Sequence, residues 1–245
     1  MLRSLSCLYR HCTFRKYFKQ KLFSEQMLRN EMNILLINDG NRRWAKEKNL
    51  PLKKGCLAMA QKLAFVADTL SLRGIKKLYF TVCSTRNLQR PPEEVCDYLE
   101  AYLLIPNFSQ QQIKVVLHGN LNLIPEIYRT KYRELQEKTA DYTDFTLHYM
   151  VAWSIEDEIA RIFNTLQEHY KEINENILFQ YADLPEKIDL IIRTGKRRRL
   201  SSFVPFHSPY AEIYFMDILF PEISEKDIDE ALQFFEQQQQ RTYGR

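Results

Sequence analysis

Asn33-Ile34-Leu35-Leu36-Ile37-Asn38-Asp39-Gly40-Asn41-Arg42-Arg43-Trp44 sets a short, wholly apolar run directly against a polar cluster. A continuous apolar run of this length, ended by a turn, predicts a strand buried on both faces, as in a parallel sheet. The cluster that follows has its own chemistry. Gly40 lets the backbone approach a ligand closely, and a helix starting near Arg42 would turn free amides toward an anion. Two arginines beside an aspartate point to a polyanion with a metal, because a carboxylate can hold Mg²⁺ while guanidinium forks grip phosphate oxygens. Taken alone, Asp-Gly-Asn is also an ordinary turn, so the weight rests on what the rest of the chain repeats.

Working outward, the pattern alternates. Lys54 to Arg73 carries Leu57, Ala60, Ala64, Ala67 and Leu70 at helical spacing, with Gly74 where a helix stops. Lys77 to Val82 is β-branched and aromatic and predicts a second strand. A helix is expected after Pro91-Pro92. Strands follow at Ile113 to Leu117, Phe145 to Val151, Asp189 to Ile192 and Glu212 to Phe215, with helices over Pro125 to Lys138 and Ile155 to Tyr170. Ser224-Glu225-Lys226-Asp227 reads as a capping box opening a last helix that ends near Arg241. The fold class expected is α/β: a single domain with a central, mostly parallel six-stranded sheet flanked by helices. In such sheets ligands bind beyond the carboxyl ends of the strands.

Two more polar clusters fall at predicted strand ends. Cys83-Ser84-Thr85-Arg86-Asn87-Leu88-Gln89-Arg90 follows the second strand with hydroxyls, an amide and two cations. Arg193-Thr194-Gly195-Lys196-Arg197-Arg198-Arg199-Leu200-Ser201-Ser202 follows the fifth, with cations and hydroxyls able to hold a diphosphate. A basic run is ordinarily a solvated face; three such clusters at three strand ends argue for a common site.

The whole chain sets bounds on this reading. Its 245 residues, 45% hydrophobic, suit one large α/β domain. A mean hydropathy of −0.42 and the lack of any long apolar run give nothing that would span a bilayer. The net charge of +4 is too mild to argue for nucleic acid. Five scattered cysteines show neither metal spacing nor a disulfide framework, which implies a reducing, cytoplasmic setting. Residues 1–30 form a basic extension, with Arg3, Arg10, Arg15, Lys16, Lys19, Lys21 and Arg29 against Glu25. It reads as a solvated extension, a segment in peripheral contact with anionic lipid, or a targeting peptide; residues 31–245 form the domain that carries the three clusters.

Asp39 to Lys46 (DGNRRWAK), Ser84 to Val95, Ile192 to Gly195 (IRTG), Arg199 to Ser201 and Tyr210 to Phe215 (YAEIYF) together resemble the cis-prenyltransferase family, whose familiar members are undecaprenyl diphosphate synthases. The resemblance implies an apolar tunnel between sheet and helices, a homodimer, Mg²⁺ and isoprenoid diphosphate substrates. Carried over, Asp39 would be catalytic and hold Mg²⁺. Gly40, Asn41, Arg42 and Arg43, with Trp44 and Arg90, would bind the allylic diphosphate. Asn87 and Ser84 would act near the reacting carbon, and Arg193, Arg199 and Ser201 would hold the acceptor diphosphate. Glu212 would reach the metal from the neighbouring subunit's side or through water. Tyr149 and Trp153 read as wall residues, Cys56 as packing, and His148 as a packed, hydrogen-bonded histidine.

The chain departs from the family pattern in places. Leu52 and Cys56 stand where an arginine and a histidine are usual, with Lys53 and Lys54 alongside. Leu88 replaces an aromatic, Ala152-Trp153-Ser154-Ile155-Glu156 replaces Asn-Tyr-Gly-Gly-Arg, and Thr242-Tyr243-Gly244 replaces Arg-x-Gly. Phe145 to Tyr149, Ser201-Ser202-Phe203 and Ser208 to Glu212 resemble lavandulyl- and cyclolavandulyl-type synthases, which implies dimethylallyl diphosphate as acceptor and head-to-middle products. The alternative from another class is a non-catalytic partner subunit of a heteromeric cis-prenyltransferase. A nucleic-acid or membrane-surface binder would leave the acidic residues without a job.

Overall fold

Ile34, Leu35, Leu36 and Ile37 are all buried, as a strand covered on both faces requires. They form β1 (Ile34–Ile37), the inner strand on which the site is built. The computed structural model describes residues 32–170, 172–184, 186–203, 206 and 208–243. The basic segment 1–30 and Gly244 lie outside the described residues.

The other strands are β2 (Lys77–Thr81), β3 (Ile113–His118), β4 (Phe145–Met150), β5 (Leu190–Arg193) and β6 (Glu212–Phe215). All pairings are parallel, in the order β3-β4-β2-β1-β5-β6. The described helices are α1 (Asn41–Glu47), α2 (Leu52–Leu72), α3 (Pro92–Leu103), α4 (Glu126–Lys138), α5 (Ile155–His169), α6 (Glu175–Gln180) and α7 (Glu225–Tyr243). Every predicted strand and long helix is present, with ends displaced by one or two residues. The short α6 escaped the sequence reading, since six residues are too few for a periodic signal.

Alternation along each strand divides the core in two. Ile34, Leu36, Leu78, Phe80, Leu147 and Tyr149 face α2, α3 and α4. Leu35, Ile37, Tyr79, Met150 and Ile191 face the other way, with Trp153, Leu184, Ile188 and Phe203. Each such side chain taken fully out of water contributes about 1.5–3 kcal/mol. Polar caps close several helix starts. The Ser154 hydroxyl accepts from the Asp157 amide (3.3 Å) at α5. Asp227 accepts from the Ser224 amide (2.8 Å) at α7, as the expected capping box requires.

One buried carboxylate gives the fold a pH signature. Glu158 on α5 is 1% exposed. Its Oε1 accepts from the Asp183 amide at 2.6 Å, and its Oε2 has no partner among the described residues. Burial raises its carboxyl to about 7, helped by Asp183 and Asp157 and opposed by that amide and Arg161. A pKa raised on folding gives stability that is complete below the ordinary carboxyl value and is lost as pH climbs through about 7. Glu158→Gln removes the ionisation. In thermal melts it should match the wild type near pH 4.5 and exceed it at pH 8 by on the order of 1 kcal/mol. Equal differences at both pH values would refute this.

Candidate active site

The strand order decides where chemistry can happen. β1 lies between β2 and β5, so the polar segments that follow these three strands meet along one edge of the sheet. Ile37 is level with Arg193, which brings Asp39 and Arg193 face to face.

Asp39 sits between two guanidinium groups. Arg193 Nη2 donates to its Oδ2 at 3.0 Å, and Arg43 Nη2 lies 3.1 Å from its Oδ1. Its backbone carbonyl accepts from the Thr194 hydroxyl at 2.8 Å and the Phe220 amide at 3.2 Å. The carboxylate remains 36% exposed, open to the cleft. Arg193 is 3% exposed at its side chain. It also donates to Ser201 Oγ at 3.0 Å and to the Arg199 carbonyl, and its Nε has no partner among the described residues. Burial, with Arg199 and Arg43 nearby, lowers the Arg193 pKa, and Asp39 works against that shift.

Two glycines make this approach possible. A Cβ on Gly195, at φ +92°, would lie 2.7 Å from Arg43 Nη2 and 2.8 Å from Asp39 Cβ. Arg43 Nη1 donates to the Gly195 carbonyl at 2.6 Å. Gly40, at φ +128°, would press a Cβ to 3.0 Å from the backbone at Leu219 and Phe220. Only glycine suits such conformations at such contacts.

The second cluster is arranged differently. Ser84 and Asn87 cap the turn Thr85–Gln89: Ser84 Oγ accepts from the Asn87 amide at 3.2 Å, and Asn87 Oδ1 from the Ser84 amide at 2.9 Å. Arg90 donates to the Tyr98 hydroxyl at 2.7 Å and pairs with Glu94 at 3.2 Å. Glu94 also takes Arg42 Nε at 3.3 Å, which ties the first cluster to the second. The sequence assigns Glu94 no role, because Arg90 is extended backbone ahead of α3 and the pair depends on how the turn meets that helix. Arg43 thus points at Asp39 and Arg42 at Glu94. Trp44 is half-buried on α1, Asn41 Nδ2 lies 3.9 Å from Cys56 Sγ, and Arg199 offers its carbonyl while its own side chain is exposed. Burial, with Asp97 and Glu94, pushes the Cys56 thiol up to about 12, so it packs as a neutral group.

Glu212 is not brought to Asp39 within one chain. The parallel register sets Glu212 beside Leu190 and Phe215 beside Arg193, which separates Glu212 from the site's edge by roughly 10 Å of strand. Among the described residues no group of three or more His, Cys, Asp or Glu could hold a metal ion. Trp153 also differs from expectation. It belongs to the opposite core, stacked on Phe203 (6.0 Å, 13°), whereas Tyr149 lies on the α2 side. His148 is packed and hydrogen-bonded as expected: its Nδ1 meets His118 Nε2 at 2.9 Å and its ring stacks on Tyr79 at 4.1 Å. Burial, with His118, Lys77 and Lys114, holds it near 3, so it stays neutral at ordinary pH.

An all-parallel sheet with cation-rich loops gathered at the carboxyl ends of adjacent inner strands is the layout of an α/β ligand-binding enzyme. The family described as "Putative undecaprenyl diphosphate synthase" matches residues 37–244. The isoprenyl transferase of Thermotoga maritima is 31% identical over 229 residues, covering 89% of this chain and 98% of that protein. A probable undecaprenyl diphosphate synthase from Campylobacter jejuni superposes with a TM-score of 0.67 at 28% identity, over 84% of this chain and 95% of that one. The lavandulyl diphosphate synthase from Lavandula x intermedia, solved with dimethylallyl diphosphate, shares the fold with a TM-score of 0.75 at 23% identity, over the same shares of the two chains. The chain belongs to the undecaprenyl diphosphate synthase family of prenyltransferases. It is an enzyme that transfers prenyl groups. No helix among the described residues is long and apolar enough to cross a membrane.

Proposed function

We propose that this chain condenses an allylic prenyl diphosphate with a C5 prenyl diphosphate, isopentenyl or dimethylallyl, releasing diphosphate and making short products. One observation carries the short-chain part. On the side of the sheet that faces helices α2 to α4, where a growing chain would lie, aromatic rings pack against one another. Phe80 meets Tyr149 edge-on at 4.6 Å and Tyr102 at 5.5 Å, and Tyr132 lies 6.2 Å from Tyr149. The same packing favours the head-to-middle reading, whose C10 product is short.

In the reaction, the allylic C1–O bond breaks and its electron pair leaves with the diphosphate. The acceptor's double bond supplies the pair for the new carbon–carbon bond, and a proton is then lost to the departing diphosphate. Gly40 to Arg43 and Arg90 hold the allylic diphosphate, and the arginines stabilise its charge as the bond breaks. Arg193, Arg199 and Ser201 hold the acceptor diphosphate, and Ser84 and Asn87 line the space between. The residues fit Mg²⁺, which takes one or two carboxylates and completes its shell with phosphate oxygens and water. Asp39 offers one partly exposed carboxylate for it. Bound there, the ion would neutralise charge on the leaving group.

A homodimer belongs to the same reading. β6 is an edge strand with Ile213 exposed, and a second copy is the source from which Glu212 could reach a metal site. The test is product analysis by mass spectrometry with Mg²⁺. Dimethylallyl diphosphate is given alone, then geranyl or farnesyl diphosphate with isopentenyl diphosphate, beside an Asp39→Ala control and a light-scattering mass. A short product from a dimer is expected. Long polyprenyl products would refute the short-chain reading, and no condensation under any pairing would favour the non-catalytic partner subunit.

A further inference from the structure

The geometry points to a residue outside the three clusters that governs the third. Arg193 is held by Ser201 Oγ at 3.0 Å and by the Arg199 carbonyl, so its aim depends on the segment 199–202. That segment is strained. Ser201 at φ +52° and Ser202 at φ +66° are consecutive non-glycine residues in the left-handed region, and such residues persist only where the surroundings over-determine them.

The start of α5 supplies the restraint. The Ile155 amide donates to the Ser202 carbonyl at 3.2 Å. The Ser202 hydroxyl donates to Glu156 Oε1 at 2.9 Å. Next to them, Phe203 lies on Trp153. The same helix start is tied to the second cluster, because Thr85 Oγ1 donates to Ser154 Oγ at 3.1 Å. Between these contacts lies a cleft of about 200 Å³ lined by Ser84, Thr85, Arg86, Ser154, Glu156 and Ser202. A carboxylate here looks out of place, since it repels the anionic ligands that the neighbouring cations attract. Its contact with Ser202 resolves the conflict: a charged acceptor makes the stronger bond to a hydroxyl.

We propose that Glu156 is a positioning residue for the acceptor diphosphate, fixing Ser202 and through it the bond between Ser201 and Arg193. This rests on the condensation reading above. Its own backbone amide and the Ser202 hydroxyl hold the Glu156 carboxyl below its ordinary value.

The test compares Glu156→Ala, Glu156→Gln, Ser202→Ala and the double alanine variant of the full chain. Alanine at 202 leaves a Cβ at the same positive φ, so backbone strain is little changed. The first readout is calorimetric binding of isopentenyl diphosphate with Mg²⁺ and no allylic partner, which needs no turnover. The second is kcat and KM for each substrate. Each alanine variant should weaken isopentenyl diphosphate binding about tenfold, as loss of one charge-assisted hydrogen bond predicts. The double variant should be no weaker than either single one, Glu156→Gln should fall between the wild type and Glu156→Ala because its amide oxygen keeps the acceptor without the charge, and the allylic KM should hold. Glutamine as weak as alanine, additive losses, or equal losses for both substrates would overturn the clamp. Product formation with all four affinities unchanged would sink the clamp alone. The expected binding pattern without any product would sink the condensation reading and leave the clamp standing. A wild type that binds neither isopentenyl nor dimethylallyl diphosphate overturns both.

Discussion

Asp39→Asn is expected to lower kcat/KM by about a thousandfold and to lower stability by about 3 kcal/mol. The two losses have separate causes. Asp39 stands 3.0 Å from Arg193 and 3.1 Å from Arg43. Asparagine keeps one acceptor, but its amide would turn N–H groups toward a guanidinium that has only N–H groups to offer. Arg193, nearly closed off from water, would lose its counter-charge, and breaking such a pair from one side leaves a buried charge uncompensated. The catalytic loss would follow from charge instead: on the proposed reading the carboxylate would anchor Mg²⁺ beside the leaving diphosphate. Melting curves and steady-state kinetics on one preparation separate the two. A melting loss with kcat/KM kept within tenfold would make Asp39 a structural ion pair and nothing more.

Tyr102→Ala should lengthen the products by one or more C5 units and cost about 3–5 kcal/mol. Tyr102 is 2% exposed. Its ring lies beside Phe80, and its hydroxyl accepts from Asn38 Nδ2 at 2.8 Å and donates toward the Thr81 carbonyl at 3.2 Å. Truncation opens a cavity on the α2 side of the sheet, beside Asn38, the residue before Asp39. It also leaves Asn38 short of a partner, which adds to the cost. Because a loss of that size approaches the whole stability of a small domain, Tyr102→Leu is the milder companion. Mass spectra of products from both variants decide the matter. Unchanged product length in each would remove the packed rings as the limit on chain length.

The elements were legible where the signal is local. Ile34 to Ile37 reads as a buried strand because a parallel strand has no polar face to show, and the polar clusters announce its carboxyl end. The order of the strands was not legible. Nothing near Ile34 states that Leu78 and Leu190 will flank it. Asp39, Arg43 and Arg193 could be named from their chemistry. That Arg42 turns away to Glu94 could not, since it depends on how α3 docks. The place of Glu212 and the face taken by Trp153 are likewise matters of register and packing. Their residue types were plain and their surroundings were not. Asn38, polar at the end of an apolar strand, was the one visible hint of the buried link through Tyr102 and Thr81.

The position of β1 between β2 and β5 also bears on how the molecule comes into being. β1 lies near the start of the described chain, and Asp39 and Arg193 stand 154 residues apart, so their contact closes one of the largest loops among the described residues. Long-range closures of this kind cost chain entropy before they return any contact energy, and they form slowly. A nascent chain emerging from the ribosome can pair β1 with β2 early, yet it holds no complete anion site until residues 193–201 have emerged and β5 has docked. A ligand that spans both sides would then act as a late fastener, stabilising the finished sheet by mass action. Binding competence should accordingly arrive in one late step, together with the last inner strand.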